Sequence, residues 1–380
     1  MSVAITPDAS GTPGPSGAPD AGPHTAARRG LLGTTGVRHA LLMLAAFVGL
    51  CLLLLAVSDF RATQIASLMY YVPAVAGLTV LTGVNGQVSL GHGALMAVGA
   101  YTTGVLLIRQ PDLPFLVVVL IAVIVAALVG AVVGAAAARL HGPYLAGATL
   151  ALAVGLPGLA ITFEELLGGE PGLRVPGIDT PPWVADLFNS ITGDRLSDRT
   201  YLAYLGGVLA LLTLFFLSNL VRSRYGRMWR AVRDDEVAAE LAGIDLGKAR
   251  ILAFVVSAAC AGLGGAVLAV VSRIAAPTGF TVVLSLSLLA AIVIGGLGSL
   301  VGAIVGSAML VFLAPFTTRR GVDLGLSDVE AANLAPLVYG VVLIVVMLAA
   351  PRGLVGSVRY AMLSRKAKAQ MQEEARTRAA

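Results

Sequence analysis

Thr82-Gly-Val-Asn-Gly-Gln-Val-Ser-Leu-Gly-His-Gly93 is the stretch on which the fold turns. It lies near the middle of Ala62–Ile108, which contains no Asp, Glu, Lys or Arg. A helix rises about 1.5 Å per residue, so about 20 residues cross the hydrocarbon core of a bilayer. A straight helix as long as Ala62–Ile108 would overshoot, so the chain must fold back at the glycine-rich break. A second double block, Ile274–Thr318, carries a break of its own, Gly295-Gly-Leu-Gly-Ser-Leu-Val-Gly302. Working outward, six more charge-free blocks are each about one span long: Ala40–Val57, Leu113–Ala138, Gly142–Phe163, Thr200–Val221, Ile251–Ser272 and Ala331–Pro351. The pattern predicts an all-α polytopic membrane protein with about ten transmembrane helices.

Composition agrees. Of 380 residues, 57% are hydrophobic and 12% charged, against roughly 25% charged in soluble domains. Such a chain cannot cover a soluble surface, which excludes an ordinary cytosolic enzyme. Cys51 and Cys260 both sit in apolar stretches and form neither a disulfide framework nor a metal cluster. The formal charge of +5 invites a nucleic-acid reading. Threading ten spans from a cytoplasmic N-terminus dissolves it: 18 of the 26 basic residues fall inside, while 12 of the 21 acids fall outside. That is the positive-inside pattern, so the basicity reports orientation, with both termini cytoplasmic. Gly130-Ala-Val-Val-Gly134 and Gly302-Ala-Ile-Val-Gly306 are small-residue faces that allow close helix packing.

Residues 1–39 are rich in Pro and Gly and read as a disordered cytoplasmic tail. The long polar lead argues against a secretory signal, although Ala56-Val-Ser58 resembles a cleavage site. The transmembrane domain runs from 40 to 356. Its largest outer loop, 164–199, is acidic and carries Trp183 and Phe188. It reads either as a cap with an interfacial aromatic anchor or as a docking surface for an extracytoplasmic partner. Residues 357–380 form a basic cytoplasmic tail, with Arg359, Arg365, Lys366, Lys368, Arg376 and Arg378 suited to anionic headgroups.

Residues 222–250 are the one long polar insertion assigned to the inner side. Asp234 or Asp235 is placed to cap a short helix, Val237, Ala238, Leu241 and Ala242 give it a narrow apolar face, and Gly243 suits its C-terminal end. A helix of about two turns is unstable alone. Glu236 and Glu240 repel at i,i+4, a strain that Arg233 or a cationic partner would relieve. The segment reads as a contact element or as a connecting loop held by its own arginines.

Glu236-Val-Ala-Ala-Glu-Leu-Ala-Gly243 resembles the coupling loop of permease subunits of ATP-binding-cassette importers. Tyr225-Gly-Arg-Met-Trp-Arg-Ala-Val-Arg-Asp-Asp-Glu236, Gly86-Gln-Val-Ser-Leu-Gly-His-Gly-Ala-Leu-Met-Ala-Val-Gly-Ala-Tyr101, Ile294–Gly302 and Pro351-Arg-Gly-Leu354 are similar to the branched-chain amino acid permeases, and to the larger, M-type paralogue in particular. The resemblance covers about residues 65 to 356. It implies a permease bundle in the bacterial plasma membrane, working with a paralogous permease, two cytoplasmic ATP-binding subunits and an extracytoplasmic binding protein. It implies an ATPase-coupling role for Arg227, Arg230, Arg233, Glu236, Ala239, Glu240 and Gly243. ATP and Mg would sit on the partner ATPases, with no cofactor on this chain and no nucleic-acid partner. Urea and short-amide permeases share these motifs, so that cargo stays open beside leucine, isoleucine and valine.

Asn85, Gln87, Ser89, Gly91 and His92 in the first break must face protein or water, because orphaned polar groups in hydrocarbon cost several kcal/mol. They line either a translocation path or a tight inner turn. Gly295, Gly296, Gly298 and Ser299 form a hinge or a close-packing point. Gly243-Ile-Asp-Leu-Gly-Lys248 lacks the pattern of a phosphate loop, and no Gly-x-Ser-x-Gly or His-Glu-x-x-His occurs. The predicted spans carry no charge, unlike most proton-coupled carriers. An autonomous facilitator or channel remains the alternative from a different class.

Overall fold

The computed structural model describes residues 35–140, 143–193, 196–351, 353–358 and 360–364. Most of the N-terminal tail, and Arg359, Arg365, Lys366, Lys368, Arg376 and Arg378 of the C-terminal tail, lie outside the described residues.

The charge-free blocks become helices α1 (Thr35–Leu55), α2 (Asp59–Leu78), α3 (His92–Arg109), α4 (Phe115–Ala137) and α5 (Pro143–Thr162). The outer loop folds into α6 (Glu164–Leu167), β1 (Leu173–Arg174) and α7 (Pro182–Thr192). Next come α8 (Asp198–Arg222), α9 (Arg224–Asp234), α10 (Glu236–Leu241), α11 (Leu246–Ser272), β2 (Ile274–Ala275), α12 (Val282–Gly295), α13 (Leu300–Asp323) and α14 (Asp328–Ala349). Among the described residues, eight helices are long and apolar enough to cross a membrane. The expectation of about ten exceeds this by α1 and α3. The apolar part of α1 is only Leu41–Leu55. Helix α3 has 18 residues, opens on His92 and closes on Arg109. It is largely buried among other helices, so it needs less apolar surface of its own.

Helix α11 is the hub and packs on α2, α3 and α4. Small residues make that possible. A side chain at Gly262 would strike Ala126 of α4, and one at Gly265 would strike the Met96 carbonyl of α3. The Gly130 and Gly134 face lies on Ala258 and Phe254 of α11, and Gly302 and Gly306 pack on Gly295 and Ala291 of α12. Both small-residue stripes therefore serve close packing. Helix α11 is mostly buried, whereas α14 is largely exposed and lies at the periphery of the described residues.

The acidic loop is more folded than a solvated linker. Strand β1 pairs antiparallel with β2, Leu173 opposite Ala275 and Arg174 opposite Ile274, and Val175 N–H donates to the Arg273 carbonyl at 3.0 Å. This two-residue ladder is a small departure from an all-α chain. Ser197 Oγ donates to Asp59 at 2.8 Å, tying the loop to the start of α2. Trp183 is exposed, while Phe188 stacks edge-on against Tyr204 of α8.

Candidate functional site

Ser223 ends α8 and caps α9, its Oγ accepting from Tyr225 N–H. Sequence reading missed α9 as a helix. Its signal is Tyr225, Met228, Trp229 and Val232 at helical spacing, overlooked among arginines. Trp229 and Val232 are buried, and the indole N–H of Trp229 donates to the Ala249 carbonyl of α11 at 3.0 Å. The arginines occupy the other face. Arg230 donates to the Val221 carbonyl at 3.0 Å, while Arg227 is exposed.

Asp235 then caps α10, accepting from Ala238 N–H at 3.0 Å. Gly243 ends it with φ of +83°. Gly243 N–H donates to the Glu240 carbonyl and Ile244 N–H to that of Ala239, a Schellman end. Ala239 faces inward, whereas Val237 and Leu241 are 68% and 85% exposed. The apolar face predicted for this helix points away from the rest of the chain.

The strain between Glu236 and Glu240 is relieved otherwise than predicted. Arg233 does not take Glu236; it pairs with Asp234 at 2.7 Å. The partner of Glu236 is Arg250, at 2.6 Å. By its charge, Arg250 belongs at the end of the polar loop. It sits instead on α11, its side chain 7% exposed, and also donates to the Ala138 carbonyl at 3.3 Å. Nothing in local pattern reveals a pair made across 14 residues. Asp245 caps α11; the N–H and side chain of Lys248 hold its carboxyl below the usual range.

The first break begins as a π-helical turn, Thr79–Val84, rather than at Thr82. Such a turn is a common mark of functional sites. Helices α2 and α3 do not form a packed hairpin, because α11 lies between them. The break is held by long-range hydrogen bonds. Gln87 Nε2 donates to the Arg250 carbonyl at 3.2 Å, Leu90 N–H to Thr149 Oγ1 of α5 at 3.0 Å, and Gly93 N–H to Ser285 Oγ of α12 at 3.0 Å. His92 Nε2 lies 3.1 Å from the Ala74 carbonyl. Ser89 and Gly91 are buried, Gly91 against Thr149. Asn85 is 2% exposed, and neither atom of its amide has a partner among the described residues.

The second break is a tight hairpin. A side chain at Gly295 would strike the Gly302 backbone. Gly296 and Gly298 have φ of +118° and +79°. Ser299 caps α13, its Oγ accepting from Gly302 N–H at 3.1 Å. The glycines of this break are closely packed.

The four sequence motifs, far apart in the chain, meet at one end of the bundle. Arg233 Nη1 donates to the Gly83 carbonyl at 2.7 Å. A side chain at Gly83 would overlap Gly298, and one at Gly353 would overlap Gly296. Contacts thus run from α9 through the first break to the second, and on to the Pro351–Leu354 segment.

A bundle of membrane-length helices around α11, closed at one end by this junction, defines a multi-pass membrane protein. The chain belongs to the family described as branched-chain amino acid transport system / permease component, which matches residues 60–347. It is 32% identical to the high-affinity branched-chain amino acid transport system permease protein LivM of Salmonella typhimurium over 64% of this chain, and 31% identical to that of Escherichia coli K12. The match spans 60% of the length of each LivM protein. Against LivH of Salmonella typhimurium, identity is 25% over 75% of this chain and 91% of the relative. No solved structure matches.

Proposed function

We propose that this chain is the M-type permease subunit of an ATP-binding-cassette importer for leucine, isoleucine and valine in the bacterial plasma membrane. It pairs with a paralogous permease. Two ATPases dock on its basic, cytoplasmic end and carry the ATP and Mg, and an extracytoplasmic protein delivers the cargo to the acidic end. Both termini are cytoplasmic. The cargo follows from the family and from what the LivM and LivH relatives are named for.

The observation that carries the coupling role is α10. It is a two-turn helix with Val237 and Leu241 turned outward. It is fastened underneath by the Asp235 cap, the Gly243 end and the Glu236–Arg250 pair. An isolated helix this short would not hold in water. An element so secured can pass a push from a docked ATPase to Arg233 and so to Gly83. Arg227, Arg230, Glu240 and Ala239 complete the docking and support surface. In this reading ATP binding draws the ATPases together and α10 moves with them. The breaks at Asn85–His92 and Gly295–Ser299 then act as joints near the translocation path rather than as its lining.

Reconstitution tests this. Leucine uptake in liposomes should require ATP, the paired permease, the ATPases and the binding protein together. Uptake by this chain alone would make it a facilitator and overturn the proposal.

A further inference from the structure

Helices α1, α8 and α13 leave an apolar groove of about 210 Å³ between them. Its walls include Leu42 and Ala46 of α1, Leu211 and Phe215 of α8, and Leu300 and Ile304 of α13. Helix α1 packs on α8, whereas α13 packs on α2, α12 and α14, so the groove is a gap between two packed groups. Leu42, Val301 and Ile304 are exposed, and the groove opens toward the bilayer. What sets it apart from the rest of the apolar surface is the charge at its end. Leu211, Phe215, Ser218 and Arg222 recur at helical spacing, on one stripe of α8. The stripe runs along the groove and ends on Arg222, about 6 Å beyond Ser218 along the axis. Arg222 is exposed, and Arg227 Nη1 lies 3.5 Å from its carbonyl. Arg224 is exposed beside them, its guanidinium over the Tyr225 ring. Among the described residues, no carboxylate pairs with Arg222, Arg224 or Arg227. The negative end of the α8 dipole offsets only about half a charge, so most of the positive charge stays uncompensated. A neutral lipid would make no use of these guanidiniums, and a free anion would make no use of the groove. An amphiphile with an acyl chain and an anionic head uses both, since the guanidinium fork matches phosphate oxygens.

We propose that this groove binds one anionic glycerophospholipid of the cytoplasmic leaflet. An acyl chain lies along Leu211 and Phe215, and the phosphate meets Arg222 with Arg227 beside it. Arg227 then stands at a rim shared by the membrane and the ATPase docking surface. The leaflet follows from the orientation proposed above; the site itself needs only a bundle that spans a bilayer, whatever its cargo. Arg222 ends α8 and Ser223 caps α9. A lipid bound there would fix the corner from which α9 and α10 extend.

The test is native mass spectrometry of the purified full-length chain in a neutral detergent, with dioleoylphosphatidylglycerol as the probe. Dioleoylphosphatidylcholine carries the same chains on a zwitterionic head, and glycerol phosphate carries the phosphate without chains. One phosphatidylglycerol should be retained about tenfold more tightly than phosphatidylcholine or better, and excess glycerol phosphate should not displace it. Arg222→Gln should weaken retention about fivefold or more, while Arg319→Gln, at the far end of α13, should leave it unchanged. Ala46→Trp fills the groove and should abolish retention; Ile304→Trp does the same from the α13 wall should the first variant fail to fold, as judged by its thermal melt. Equal retention of the two lipids, displacement by glycerol phosphate, a loss in Arg222→Gln no larger than in Arg319→Gln, or undiminished retention by a folded Trp variant would each overturn the proposal. So would a dimer of this chain that Ala46→Trp dissociates and that retains no phosphatidylglycerol, because the groove would then be a protein interface.

Discussion

A side chain at position 86 would place its Cβ 2.8 Å from Cγ of Arg233, in a backbone already at φ of +84°. Strain and contact both oppose substitution there. Gly86→Ala should destabilise the protein by about 1–2 kcal/mol, read as a lower midpoint of thermal unfolding in detergent. An unchanged midpoint would mean that the break relaxes freely. Glu236→Leu tests the other support. It leaves Arg250 buried without its carboxylate partner. Because Glu236 is half-exposed, the cost should be on the order of 1–3 kcal/mol rather than the full penalty of a buried pair. Glu236→Leu with Arg250→Met should recover much of that loss, since both charges are then gone. A double variant no better than the single one would deny the pairing.

At the scale of elements, α10 depends on its ends. Asp235→Ala removes a cap worth about 1 kcal/mol and should loosen α10, measured as faster amide exchange at Ala238 and Ala239. The cap of α11 depends on pH. Asp245 has a depressed carboxyl, so its contribution is complete above the ordinary carboxylate range and is lost as pH falls below that range through its lowered folded value. The protection of Lys248 N–H, relative to the intrinsic exchange rate at each pH, should fall on acidification and stay flat in Asp245→Asn.

The helices were legible because lipid forbids charge, and charge-free blocks therefore mark them to within a few residues. The α10 cap and stop were legible because Asp235 and Gly243 act locally. What escaped obeys other rules. Helix α9 is amphipathic and basic, so a search for uncharged blocks passes over it. The charge of Arg250 assigns it to the loop, although the Glu236 carboxylate and the Ala138 carbonyl make a buried position tolerable. The contact of Gly83 with Gly298 joins residues far apart in the chain, and no local signal encodes it.

For the whole molecule, the proposed orientation follows from charge. Trp183 and Leu241 stand exposed at opposite ends of the bundle, 70% and 85%. A membrane-impermeant maleimide should label Trp183→Cys in intact cells and Leu241→Cys only after the membrane is opened. The native thiols interfere little, Cys260 being buried and Cys51 half-buried in an apolar helix. The reversed pattern would invert the topology.

In the proposed mechanism α10 receives the movement of the ATPases on ATP binding and passes it to the breaks. The side chains of Leu241 and Glu240 are exposed. The most direct measurement is the initial rate of ATP-driven leucine uptake by Glu240→Lys in proteoliposomes, at equal amounts of inserted chain. The rate should fall about tenfold or more, an added barrier of roughly 1.4 kcal/mol or above, with the variant inserted and folded as the wild type. Uptake at the wild-type rate would contradict the assignment of α10 as the coupling element.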